Sequence, residues 1–322
     1  MEFRSFHEQM THYFNRPHVG LPDSPFSGPA AWYGRDLAAT PEQWCFHLSA
    51  DDNAELWSAV EQTSDVAFEA INRQNFAVDG LRERFVAWHH QLAEGCGVVV
   101  LKGLALEGRT QAEIERLFWG FGHHLGLPGA QNPDQELLGH VKDYGENNPH
   151  VRLYRTASNI AYHCDAADSV GLLCMQPAIE GGRSKLVSSV TLFNELFQAH
   201  PELIARLFDP FRLDLRDKTK PDAESWFWVT PCACDGEQLR TFYHSDYFRS
   251  IERHEAFKLT DEEHAILDFY DNKALEEGVS LDMDLEKGDI QLISNHVTIH
   301  ARTPYTDSPE AKRHLLRLWL SL

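Results

Sequence analysis

Apolar residues fall along this chain in two rhythms, and the change between them divides it. From Asp52 to about Leu92 the spacing is helical, with Leu56, Val60, Val66 and Phe68 among mostly polar partners. The stretch "CGVVVLKGL" (96–104) is short and apolar, which predicts a buried strand closed by Gly103. Thr110-Gln-Ala-Glu113 has the form of a capping box. After it, Ile114, Leu117, Phe118, Phe121 and Leu125 follow a 3.6-residue period up to Gly126. Residues 150–190 switch to short apolar strands punctuated by Gly181-Gly182. A helical stretch from Leu192 to Phe208 follows, and Thr260-Asp-Glu-Glu263 caps another helix to about Asp271. Between them a Pro- and Trp-rich middle, 209–258, has no clear period. The end returns to strand in "GDIQLISNHVTIHART" (288–303) and "RHLLRLWLSL" (313–322). Residues 1–50, rich in Pro, Gly and aromatics, read as an irregular wrap. Strands with helices around and between them, not alternating βαβ units, predict a mainly β architecture with helical cover (α+β), a roll or barrel.

Composition narrows the functional classes. The 322 residues carry 29 basic and 49 acidic side chains, a net charge of −20. That balance disfavours tracking of nucleic-acid phosphates or binding to an anionic membrane surface. No apolar run approaches the roughly 20 residues of a membrane span. The opening "MEFRSFHEQMTHYF" lacks the apolar core of a signal peptide. The six cysteines have no framework spacing, Cys232-Ala-Cys234 being one residue short of a redox or zinc pair. They read as reduced structural thiols, and the chain as cytoplasmic.

The candidate chemistry lies in histidine and aspartate. "YHCDAAD" (162–168) and "YHSDYF" (243–248) each contain His-x-Asp, a pattern that 18 histidines would produce about once by chance. In an extended segment residues i and i+2 point to the same side, so His163 and Asp165 project together while Cys164 faces away. "SNHVTIHART" offers His296 and His300 as a third group. Two imidazoles and one carboxylate with open positions on one face is the arrangement of non-haem Fe(II) oxygenases. A zinc hydrolase can use the same donors, but no helical HExxH is present.

The last strand adds a second clue. Leu316, Leu318, Leu320 and Leu322 share one face, and Arg313, Arg317 and Trp319 the other. Arginines on an apolar strand are costly to bury unless they meet anions. At about 3.3 Å per residue their Cα atoms lie roughly 13 Å apart, too far to grip one small carboxylate together. Two anionic groups, or one ligand and one internal partner, fit better.

Taken together these residues resemble the Fe(II)/2-oxoglutarate-dependent dioxygenases of the taurine dioxygenase (TauD/TfdA) family. The resemblance covers about two-thirds of the chain, from "CGVVVLKG" to the end. It rests on the order "NIAYHCD", "GGRS" (181–184), "GDIQLISNHVTIHART" and "RHLLR". It implies iron ligands His163, Asp165 and, twelve residues after Gly288, His300, with His296 a neighbour. It also implies that Arg313 holds the distal carboxylate of 2-oxoglutarate with Ser184 as hydroxyl helper. Arg317 and Asn159 fall on substrate-side positions.

The architecture implied is a double-stranded β-helix (jelly-roll, cupin-like) core over 96–322, with an insertion or lid at about 191–280. Residues 1–95 form a wrap belonging to the same domain. Strands must complete most of the roll between the His-x-Asp turn and the distal histidine. Asp165 leaves 134 residues for them and Asp246 only 53, so "YHCD" is preferred. His244 and Asp246 read as structural or pocket-edge residues.

The implied activity couples O2 and conversion of 2-oxoglutarate to succinate and CO2 with oxidation of a C–H bond in a small metabolite or natural-product intermediate. An anionic or amino-acid-like substrate would suit Arg317 and Asn159. Hydroxylation is the default, with desaturation or cyclisation open. The presence of Asp165 argues against a halogenating relative. The alternatives are a jelly-roll metal enzyme that does not use 2-oxoglutarate and a non-catalytic jelly-roll binding protein. The expected partner is a small molecule, without nucleic acid or membrane, and a homo-oligomer is left open.

Overall fold

The computed structural model describes residues 2–145, 153–215 and 225–322. In chain order its principal elements begin with α1 (Phe6–Phe14), β1 (Cys45–His47), α2 (Ala50–Gln62), α3 (Arg82–Ala93) and β2 (Val98–Lys102). Next come α4 (Gln111–Leu125), β3 (Leu127–Gly129), β4 (Gly139–Val141), β5 (Ile160–His163), β6 (Ser169–Gln176) and β7 (Ser184–Ser188). The chain closes with α5 (Ser189–Ala199), α6 (Asp261–Ala274), β8 (Leu281–Met283), β9 (Ile290–Ser294), β10 (Thr298–Arg302) and β11 (His314–Ser321).

Reciprocal capping boxes open four of these helices: Ser5 with Glu8, Ser49 with Asp52, Thr110 with Glu113, and Thr260 with Glu263. Each satisfies two backbone N–H groups that a helix start leaves unpaired. The helical stretch expected from Asp52 to Leu92 is two helices. Thr63 folds its hydroxyl back onto Ala59 O to close α2, and Asn72 accepts the Gln74 N–H on its side chain, a local turn that competes with helix. The stretch expected from Leu192 to Phe208 is likewise broken, by a 3-10 turn at Pro201–Leu203. The expected strand 288–303 is two strands, β9 and β10, separated by the turn Asn295–Val297 and belonging to different sheets.

Two sheets organise the molecule. A seven-stranded sheet runs β1-β2-β9-β6-β11-β3, with β4 also pairing β11; only β1 and β2 are parallel. A four-stranded antiparallel sheet runs β8-β7-β10-β5. Alternation along β11 sets the layers. Leu316, Leu318 and Leu320 pack with Val99, Leu101, Leu292 and helices α2–α4 in one core. Trp319 on the opposite face joins Val98, Val170 and Ile293 in a second core with the smaller sheet. That core also takes in Phe193 of α5, Tyr270 of α6, and Tyr13, Trp32 and Trp44 from the first fifty residues. Among the described residues no helix is long and apolar enough to cross a membrane. All six cysteines are unbridged.

Candidate metal centre

β5 ends on His163, and the chain then turns through Cys164 and Asp165. Cys164 points away from its neighbours' side: its thiol is buried 3.8 Å from Thr298 O, and burial pushes it up to about 12. Directly opposite His163 across the antiparallel β5–β10 pair stands His300, with ring centroids 4.2 Å apart. One donor atom each from His163, Asp165 and His300 lies within 4.8 Å of the other two, the one such cluster of three or more among the described residues.

The protonation states suit a metal. His163 Nδ1 lies 2.9 Å from Ala161 O, so Nδ1–H donates there and Nε2 keeps its lone pair. Burial lowers the His300 pKa, and His163 lowers it further; Asp165 pulls against them and Arg317 with them, for a value of about 3. Burial raises Asp165, but Arg317, His300 and His163 outweigh it and hold the carboxyl below its ordinary value. Two imidazoles and one carboxylate make a donor set that fits Fe(II).

Sequence reasoning missed Asn295, which clamps the Asp165 turn. Its Oδ1 accepts the Asp165 N–H at 3.0 Å and its Nδ2 donates to Ala167 O at 2.9 Å. The sequence showed only an asparagine in a short polar break between two apolar runs; its burial and its contact with Asp165 come from the fold. The adjacent His296 lies outside the donor cluster. Its Nε2 meets Asp168 Oδ1 at 2.8 Å, while Asp168 Oδ2 takes His12 Nε2 at 2.9 Å and the Leu322 N–H at 3.0 Å.

Three buried arginines line the same interior. Arg317 has an internal partner, its Nη1 standing 3.6 Å from Asp165 Oδ1. Gln131 grips it twice, accepting from Nε at 2.7 Å and donating to Arg317 O at 2.7 Å. Among the described residues no carboxylate pairs with the Arg313 guanidinium. It is 5% exposed, its guanidinium lies 5.0 Å over the Tyr305 ring, and its Nη1 is buried without a hydrogen bond. Gly182, at φ +71°, makes room for it, since a Cβ there would come within 2.9 Å of Arg313 Nε. The hydroxyl of Ser184 is already 2.9 Å from the Gln291 amide.

Arg302, which the sequence reading did not single out, is 6% exposed and lies 4.8 Å over the same Tyr305 ring. Burial, then the neighbouring Arg313, push its pKa down to about 10. Its Nη2 donates to Thr156 O and Ser158 O.

The remaining sequence candidates lie at the margin. Asn159 is exposed immediately before β5. His244 forms an isolated bridge with His163, their rings 5.2 Å apart, and stacks on Tyr247 at 3.8 Å. Asp246 is in the short helix Ser245–Arg249 and outside the donor cluster.

The family model described as "Taurine catabolism dioxygenase TauD, TfdA family" matches residues 60–319. The chain is 28% identical over 314 residues to FR-33289 synthase of Streptomyces rubellomurinus, covering 94% of this chain and 92% of that one. It is 25% identical over 304 residues to the taurine hydroxylase-like protein SAT17 of Stachybotrys chartarum, covering 89% and 77%. Among solved structures it resembles asparagine oxygenase in complex with Fe(II), hydroxyasparagine and succinate. There the TM-score is 0.68 at 15% identity, covering 86% of this chain and 93% of that one. The non-heme iron oxygenase OrfP with Fe and alpha-ketoglutaric acid gives 0.65 at 14% identity, covering 86% and 94%. At such identity these two likenesses speak for the fold. With the model matching most of its length, the chain belongs to the TauD/TfdA family of Fe(II)- and 2-oxoglutarate-dependent oxygenases.

Proposed function

We propose that this oxygenase holds Fe(II) on His163, Asp165 and His300 and seats the distal carboxylate of 2-oxoglutarate on Arg313, with Ser184 beside it. Its substrate is a small anionic or amino-acid-like metabolite or natural-product intermediate. One observation carries the reading: a metal-type donor cluster shares its interior with Arg313, a buried cation whose Nη1 has no protein partner. An unpaired buried guanidinium is costly, and a ligand carboxylate removes that cost. Bound there, Fe(II) and 2-oxoglutarate supply the oxidation of a C–H bond by O2, with succinate and CO2 as co-products.

The chain's own residues bind and orient. His163 and Asp165 come from one turn and His300 from the facing strand, so the three donors gather on one side and leave the other for ligands. Arg317 offsets the charge of Asp165 through Nη1, and its guanidinium, stacked 4.6 Å over the Tyr154 ring, would meet a substrate anion through Nη2. Asn159 lies on the substrate side, and hydroxylation is the default outcome. The amino-acid ligands of the solved relatives, hydroxyasparagine and (3S)-hydroxy-L-Arg, support this substrate class, as does the likeness to a Streptomyces synthase.

The two facing sheets we read as a double-stranded β-helix. Residues 1–95 wrap the same domain, and about 191–280 form an insertion whose His244 borders the pocket. The working compartment is the cytoplasm, with a small molecule as the only partner required. Anaerobic titration of the metal-free protein with Fe(II), then 2-oxoglutarate, tests the assignment. A visible charge-transfer band is expected, lost in His300→Ala and kept in His244→Ala. Fe(II) binding without a band on adding 2-oxoglutarate would overturn the role of Arg313.

A further inference from the structure

The geometry points to Arg302 as a second cation for the distal carboxylate of 2-oxoglutarate, acting with Arg313 across the Tyr305 ring. The inference rests on the placement of 2-oxoglutarate proposed above. Arg302 follows His300 by two residues on β10, so both side chains leave the same face of that strand. In the β10–β7 ladder Arg302 is paired with Ser184, the residue assigned beside the distal carboxylate. The guanidinium groups of Arg302 and Arg313 lie 4.8 and 5.0 Å over one ring, that of Tyr305. No described carboxylate comes within ion-pair distance of either.

The unmet hydrogen bonds converge as the charges do. Arg302 Nε and Nη1, Arg313 Nη1 and the Tyr305 hydroxyl are all buried without a partner. Buried polar groups are ordinarily satisfied, and here four donors left without a partner belong to three side chains stacked around one ring. Two like charges buried together add repulsion, so the pocket is built for an anion with several acceptor lone pairs. A carboxylate can take one guanidinium on each oxygen, each bond strengthened by charge. Arg302 also clamps the 156–158 loop through Nη2, so a substitution acts on the loop as well as on the ligand. The experiment has to separate the two.

The separating probe is 2-oxovalerate, which keeps the keto-acid end and chain length of 2-oxoglutarate and lacks the distal carboxylate. Binding of both acids to the Fe(II)-loaded full chain is measured anaerobically from the charge-transfer band. Arg302→Gln is expected to weaken 2-oxoglutarate by about ten- to a hundredfold, the worth of one charge-assisted hydrogen bond pair, with 2-oxovalerate unchanged. Equal weakening of both acids, or none of either, would overturn the role of Arg302 and leave a loop clamp. A wild-type protein that binds both acids equally well would instead overturn the Arg313 placement beneath it.

Should Arg302→Gln fail to fold, a crystal structure of the unmodified protein with succinate decides. Arg302 Nε or Nη1 within about 3.2 Å of a succinate oxygen supports the inference, and a separation beyond hydrogen-bond range overturns it.

Discussion

His300 stands directly opposite His163 in the β5–β10 ladder, their ring centroids 4.2 Å apart. The geometry of the donor cluster is therefore a property of strand register. A slip of one residue would turn His300 to the other face of its sheet. Asp165 comes from the turn that follows His163, so its place depends on how that turn is held.

The donor assignment predicts a sharp contrast between neighbours. His163→Ala, Asp165→Ala and His300→Ala should each lower Fe(II) affinity by more than about 100-fold, since outer partners alone are worth about 10- to 100-fold. Cys164→Ala, one position from two of them, should keep iron and the 2-oxoglutarate band and cost about 1 kcal/mol in stability. Metal titration with a thermal melt reads both, and loss of iron in Cys164→Ala would mean the turn has been misassigned.

Asn295 should behave as a positioning residue. Asn295→Ala leaves the Asp165 N–H and Ala167 C=O without their partners, which costs about 1–3 kcal/mol each when buried. It should also lower Fe(II) affinity by about 10- to 100-fold through movement of Asp165. Asn295→Asp keeps the acceptor for Asp165 and should recover part of the metal affinity. Stability lost with iron affinity untouched would make Asn295 purely structural.

The Asn295 clamp also shows where sequence reading ends. Local periodicity was enough for the strand Val98–Lys102, the capping boxes at Thr110 and Thr260, and the leucine and arginine faces of β11. It also supplied the choice for the arginine pair between two anionic groups and one ligand with one internal partner; the structure sets Arg317 beside Asp165, while among the described residues no carboxylate pairs with the Arg313 guanidinium. The helix α1 was hidden, although Ser5 and Glu8 spell a capping box, because its surroundings are rich in Pro, Gly and aromatics. Contacts such as Asp165 with Asn295, 130 residues apart, or Arg317 with Gln131, 186 apart, leave no local signature. They depend on which strands pair and in what register, and Arg302 escaped notice for the same reason.

Stability should fall in acid through a histidine outside the donor cluster. His123 on α4 is buried with its Nε2 unpartnered, and burial, then the adjacent His124, lower its pKa from 6.5 to about 4. With the folded value below the unfolded one, its contribution is complete above pH 6.5 and is lost as pH falls towards 4. At about 1.4 kcal/mol per unit the loss is on the order of 3 kcal/mol. Urea unfolding at pH 7, 5.5 and 4.5 should show a steeper decline for the wild type than for His123→Phe. Parallel declines would mean that His123 is protonated in the folded protein.

Gly182→Ala should damage the cosubstrate pocket without touching the metal. The backbone there has φ +71°, a left-handed conformation that costs an L side chain about 1 kcal/mol. The new Cβ would also come within 2.9 Å of Arg313 Nε and 3.4 Å of Tyr305 Cβ. Arg313 has little room to retreat, being buried over the Tyr305 ring, so its guanidinium must shift. Fe(II) affinity should be unchanged while 2-oxoglutarate binds about tenfold more weakly, the equivalent of roughly 1.4 kcal/mol. Anaerobic titrations with metal and then cosubstrate separate the two effects. Unchanged 2-oxoglutarate affinity in a folded Gly182→Ala protein would place the distal carboxylate somewhere other than against Arg313.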